Sequence, residues 1–199
     1  MAQAIEEVGI GFLFAPSFHG AMRNVQPVRV ELKMRTAFNY LGPLTNPARA
    51  EMQVAGTWSD DAAERIAQVS ARLGLQRGFV VHGSDGLGEL TVTGPSTAFS
   101  VCDGEVDRLT THPRDFGLEV HPAQAIEGGD AGVNRAIAES VLAGQRGAAR
   151  DVVVMNAALA LVAAGRTPDY RAAAEEAAAS IDSGTAQWKL VQLRAAMDV

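Results

Sequence analysis

Two carboxylates lie close together in "VVHGSDGLGELTVTGP" (80–95), where Asp85 opens and Glu89 closes the run "DGLGE". Mg²⁺ takes oxygen ligands and is commonly held by one or two carboxylates plus substrate phosphates, so the loop is a candidate metal site. It also reads as an ordinary turn. Asp-Gly supplies a side-chain acceptor and a residue free to take positive φ, and turn chemistry alone favours that reading. The second candidate is Arg29, which follows "NVQPV" and shares a helix face with Met22 and Val25, since steps of three, four and seven return to one side. An inward guanidinium is costly unless it meets an acid or a bound anion. The alternative is a helix-end arginine that reaches solvent or pairs with Glu31 or Glu6. The third is "LGPLTNP" (41–47), where Gly42 and Pro43 fix the backbone after a strand-like run, at the edge where open α/β sheets hold ligands.

Other chemistries are set aside. The chain has no GxSxG, CxxC, HExxH or GxxxxGK[ST] pattern, so those specific signals are missing. His19, His82, His112 and His121 are scattered, none with a second ligand at zinc spacing, and they read as polar surface or strand-end residues. "EGGD" (127–130) resembles a phosphate cradle before a helix. Asp130 is better read as the cap of a helix from Ala131, because its carboxylate would repel an anion at that place.

Those side chains must be positioned by elements that alternate in type. Short apolar runs predict strands at "GIGFLFA" (9–15), "TAFNYL" (36–41), "MQVAGTW" (52–58) and "GFVVHG" (78–83), with shorter, more alternating ones at "ELTVTG", "TAFSVC" and "EVDRLT". Helices are expected over 18–33, opened by Ser17, and over 60–74, started by Asp60 and stopped by Gly74. Alanine-rich helices follow at 131–143, 148–164, 169–182 and 185–197. The order predicts an α/β fold, a mostly parallel central sheet flanked by helices.

The 199 residues, 47% of them hydrophobic, suffice for a sizeable core. A net charge of −6 argues against nucleic acid or an anionic membrane as partner. Cys102 is the one cysteine, so an internal disulfide is impossible and a reducing compartment is expected. The longest apolar run, "VVVMNAALALVAAG" (152–165), falls short of the roughly 20 residues of a spanning helix and contains Asn156. The opening "MAQAIEEVGIGF" has acids where a signal peptide has a basic region. A cytoplasmic protein is expected.

The block "FLFAPSFHGAMRNVQPVRVELKMRTAFNYLGPLTNPA" (12–48) resembles the anthranilate phosphoribosyltransferase family, whose pattern runs FAPxxHPAM, then VR, then RTxFNxLGPLxNP. The likeness continues through "VVHGSDGLGEL", "GGDAGVN", "RDVVVMNAALAL" and "IDSGTA". It implies the fold shared with class II nucleoside phosphorylases and a reaction of tryptophan biosynthesis. In that reaction the anthranilate amine attacks C1 of phosphoribosyl pyrophosphate, and pyrophosphate leaves with Mg²⁺. No catalytic acid or base is implied. Arg29 matches the arginine that meets the anthranilate carboxylate, a bidentate pairing that suits an inward guanidinium. Gly42 and Pro43 match residues lining that site. His19 falls at the family's histidine, although Gly20 follows where the family has proline.

Two departures accompany the resemblance. Residues 1–199 match the C-terminal part of the family's α/β domain, with 131–197 as a helical tail packed on the sheet. The N-terminal helical domain, the glycine-rich phosphate loop and most contacts of the family homodimer have no counterpart. The isolated chain is therefore expected to have little activity, or to be an enzyme half needing a separate N-terminal piece. A non-catalytic binding protein of the same fold is the further alternative. Secondly, the family reads DGLDE where this chain has Gly88 before Glu89. The resemblance assigns Glu89 to the metal and shows its aspartate partner replaced by Gly88.

Overall fold

The apolar runs in the middle of the chain form a sheet of four strands, β1 (Met52–Gly56), β2 (Arg77–Gly83), β3 (Ser96–Cys102) and β4 (Glu105–Thr111), in the spatial order β1-β2-β3-β4. The structure is a computed structural model and describes residues 2–14, 18 and 26–197. β1 and β2 are parallel, with Val54 opposite Phe79 and Gly56 opposite Val81. β2–β3 and β3–β4 are antiparallel. The α/β class is as expected, but the sheet is mixed rather than mostly parallel. Only β1 to β2 has a helical crossover long enough for a parallel return, whereas Asp103 and Gly104 close a tight hairpin between β3 and β4.

The crossover is α4 (Asp60–Arg72), preceded in the chain by α1 (Ala2–Val8), α2 (Gln26–Leu32) and α3 (Phe38–Leu44). Ala62, Ala63, Ile66, Ala67 and Ser70 form its buried face, at the spacing that puts residues on one side. Its cap is Ser59, whose hydroxyl accepts from the Ala62 N–H at 3.3 Å. Asp60, expected as the cap, instead takes hydrogen bonds from Thr97 Oγ1 at 2.9 Å and Arg108 Nη2 at 2.8 Å. The helix ends before Gly74, whose φ of +90° favours glycine.

After two short 3-10 turns come α5 (Ala131–Leu142), α6 (Ala148–Ala163), α7 (Tyr170–Asp182) and α8 (Thr185–Ala196), close to the predicted bounds. Asp130 caps α5 and Asp169 caps α7, accepting from Val133 and Ala172 N–H groups at 3.0 Å each. The core joins the inner face of β2 (Phe79, Val81) to Met155 and Leu159 of α6 and Ile181 of α7. Phe116 lies within it and stacks on Tyr170 with ring centroids 4.9 Å apart.

Three expected strands are not formed. Residues 9–14 are irregular, and none of the described strands pairs with them. Among the described residues no ladder holds its main chain extended, and Ile10, Phe12 and Phe14 are exposed. Residue 15 of that run and residues 17 and 19–25, with Met22 and Val25 of the helix expected over 18–33, lie outside the described residues, while Gln26–Leu32 is helical as expected. The run 36–41 is largely helical. The Asn39 side chain accepts from the Thr36 N–H at 2.9 Å, and main-chain bonds from Asn39 and Tyr40 to Thr36 and Ala37 wind the first turn. The third, 89–94, is irregular for a reason that concerns the site.

By its internal contacts the chain divides into two units, Met1–Arg49 with Gln187–Val199, and Ala50–Ala186.

Candidate functional site

Parallel strands deliver their following loops to one edge, the usual ligand edge of an α/β sheet. The loop after β1 starts at Thr57, whose N–H continues the ladder to the Val81 carbonyl at 3.0 Å. His82, the penultimate residue of β2, places Nδ1 3.0 Å from the Thr57 carbonyl. A carbonyl can only accept, so Nδ1 carries the proton. The loop after β2 folds back against the first: a Cβ on Gly56 would overlap the Gly88 carbonyl oxygen. Gly88 itself has room, since a Cβ there would lie 3.4 Å from the Thr57 carbonyl oxygen.

The two carboxylates of "DGLGE" differ in what they meet. Asp85 is the turn residue. Its Oδ1 accepts from the Leu87 N–H at 3.0 Å, and its Oδ2 accepts from Thr91 Oγ1 at 2.6 Å and Thr93 Oγ1 at 2.8 Å. Gly86 then takes a φ of +91°. Partial burial opposes the charge on Asp85, but the bonds from Thr91, Leu87 and Thr93 outweigh it and hold the carboxyl below the usual carboxylate range. Its stabilising contribution is therefore present above the unfolded-state value and lost as pH falls through the lower folded value. Accordingly, the stability difference between wild type and Asp85→Asn should shrink on acidification from about pH 6 to below roughly pH 4. Thermal melts across that range check it, and a constant difference refutes it.

Glu89 is exposed, and no hydrogen bond or ion pair to its carboxylate is found among the described residues. The next residue, Leu90, is fully buried. The strand expected at 89–94 is missing because side chains serve its main chain. Asn156 of α6 accepts from the Leu90 N–H and donates to the Leu90 carbonyl, each at 2.9 Å. Ser96 Oγ accepts from the Thr91 N–H at 3.0 Å, and the His121 N–H donates to the Val92 carbonyl at 2.9 Å. Asn156 and Gly56 escaped the sequence reading as site residues. The one signal was a lone amide inside an apolar helix.

The substrate-binding residues expected from the resemblance fall in the first unit. Arg29 is on α2, with its side chain outside the described set, and His19 lies outside the described residues. Gly42 and Pro43 sit within α3, not after a strand, with Gly42 exposed and Pro43 half-buried. Gly88 and Glu89 belong to the second unit. At "EGGD" the helix end is occupied by Asp130 as expected. Elsewhere, a cavity of about 270 Å³ opens at the start of β2, beside Arg77, Val101, Cys102 and Pro168, away from the ligand edge.

Among the described residues no group of three or more His, Cys, Asp or Glu is arranged to hold a metal. Of the two carboxylates in the loop, Asp85 is engaged by three donors and Glu89 is left open. A single carboxylate fits one share of a Mg²⁺ shell whose other oxygens come from substrate phosphates and water.

Residues 1–187 match the model of the glycosyl transferase family, a/b domain. The chain belongs to that family. Within the family it is 54% identical over 192 residues to the anthranilate phosphoribosyltransferase of Solibacter usitatus (strain Ellin6076), an alignment covering 96% of this chain and 56% of that relative. The crystal structure of anthranilate phosphoribosyltransferase from Thermus thermophilus superposes with a TM-score of 0.91 at 40% identity, over 99% of this chain and 58% of that one. The enzyme from Saccharomyces cerevisiae in complex with PRPP and Mg gives 0.87 at 27% identity, over 96% and 55% of the two chains. The chain thus spans a little over half the length of the relatives it matches. No helix among the described residues is long and apolar enough to cross a membrane.

Proposed function

We propose that the chain is the C-terminal part of the α/β domain of an anthranilate phosphoribosyltransferase, a cytoplasmic, homodimeric enzyme of tryptophan biosynthesis. The observation that carries this reading is the 54% identity to that enzyme across 96% of the chain. The reaction joins the anthranilate amine to C1 of phosphoribosyl pyrophosphate, breaking the C1–O bond to pyrophosphate. It demands positioning and charge stabilisation more than a strong base. Arg29 would hold the anthranilate carboxylate bidentately, with Gly42, Pro43 and His19 around the ring. Glu89 would contribute one carboxylate toward Mg²⁺, which when bound neutralises the phosphates of the leaving group. With glycine at 88, that share is half of the pair the family supplies.

A second reading makes this chain an enzyme half that works when the portion of the relatives outside the match is supplied; that portion is nearly half of their length. A net charge of −6 disfavours conversion into a nucleic-acid-binding relative. Purified chain with anthranilate, phosphoribosyl pyrophosphate and Mg²⁺ should show turnover far below the roughly 1 s⁻¹ of an ordinary enzyme. A chimera carrying the remaining portion of the Solibacter usitatus relative should restore it. Ordinary rates from the chain alone would refute the half-enzyme reading, and an inactive but folded chimera would refute the assigned function.

A further inference from the structure

An amide in the middle of an apolar helix is costly unless its hydrogen bonds are made. Asn156 makes its bonds on both amide atoms: Oδ1 accepts from the Leu90 N–H, and Nδ2 donates to the Leu90 carbonyl and, at 3.0 Å, to the Val152 carbonyl on its own helix. The orientation is settled by chemistry, since a flipped amide would set Oδ1 against two carbonyls and Nδ2 against an N–H. The side chain therefore acts as a strand partner for a single residue 66 positions away. Leu90 is anchored in the core, and Glu89 immediately before it faces solvent. At the other end of the loop, Asp85 is tied to Thr91 and Thr93. Glu89 is held between these two fastenings, while its carboxylate stays open.

We propose that Asn156 is a positioning residue for Glu89, fixing the main chain at Leu90 so that the carboxylate is presented at the ligand edge in one orientation. This rests on the reading of Glu89 as a metal-directed carboxylate. A free carboxylate on an unrestrained loop must be ordered when a cation binds, and that ordering weakens binding. A loop fastened beforehand avoids it, as residues behind a ligand do in metal sites generally.

The test uses the full chain labelled with ¹⁵N, titrated with Mn²⁺ in the presence of inorganic pyrophosphate and read as paramagnetic broadening of amides 85–91. In wild type the broadening should centre on Glu89 and disappear in Glu89→Gln. Asn156→Ala should raise the Mn²⁺ concentration for half-maximal broadening about tenfold, with faster amide exchange at Leu90. Asn156→Leu, which fills a similar volume without the amide or a charge, guards against collapse into a cavity in the alanine variant and should move the same way. Unchanged Mn²⁺ response in both position-156 variants overturns the role of Asn156 alone. Wild-type broadening indifferent to Glu89→Gln overturns the metal reading of Glu89 and this role with it, whatever the transferase assay gives.

Discussion

Gly56→Ala is expected to lower stability by about 3 kcal/mol or more, or to force the loop after β2 off the sheet edge. The added methyl would occupy the position of the Gly88 carbonyl oxygen and lie 2.6 Å from the Gly88 carbonyl carbon. These are main-chain atoms, so no side-chain rotation relieves the overlap. The strand cannot yield easily either, because Gly56 sits opposite Val81 in the parallel ladder and Thr57 bonds on to the Val81 carbonyl. Gly88→Ala makes the contrast. Its methyl meets Thr57 main-chain atoms at 3.4 to 3.9 Å, ordinary contact, and the change should be tolerated or slightly stabilising through the unfolded chain. Thermal unfolding of the two variants side by side checks this. Equal melting temperatures would show that the two loops do not meet as described.

The second large effect concerns chemistry at the same contact. Gly88→Asp restores the acidic pair that the family resemblance leads one to expect, at a position with room for a side chain. In the isolated chain it should leave the Mg²⁺ response unchanged, because two exposed carboxylates without substrate phosphates make a weak site. In the chimera with the remaining portion of the relative, it should lower the Mg²⁺ concentration required for turnover about tenfold. Activity against Mg²⁺ concentration in the chimera, and Mg²⁺ binding in the isolated chain, each with and without the substitution, decide the matter. Tightening in the isolated chain, or indifference in the chimera, would show that position 88 does not face the phosphates. The comparison separates the carboxylate's contribution from that of the fold, since Gly88→Ala fills the same space without charge.

Much of the chain from β1 onward was legible because its signals are local. Asp130 and Asp169 cap helices within three residues of themselves, Gly74 stops one by its own φ, and an alternating run such as "TAFSVC" pairs across a two-residue turn. The turn role of Asp85 was legible for the same reason, its bonds reaching no further than Thr93. Where a pattern was ambiguous, the missing information lay elsewhere in the chain. "TAFNYL" has the composition of a strand, yet its main chain winds into a helix, with no strand beside it among the described residues. "ELTVTG" alternates like a strand, but its hydrogen bonds are supplied by Asn156, Ser96 and the His121 main chain.

By itself the sequence determined the α/β class, most of the helices, the family and the two carboxylates worth examining. The tertiary structure added the partners of those carboxylates, tying Asp85 to Leu87, Thr91 and Thr93 while Glu89 stays exposed. It alone also showed that Asn156 holds the adjoining main chain and that Gly56 must lack a side chain. The physical reason is range. Caps, turns and periodicity act within about one helical turn or one hairpin. The contact between Gly56 and Gly88 and the bonds from Asn156 to Leu90 depend on how separate elements pack, which no local pattern encodes.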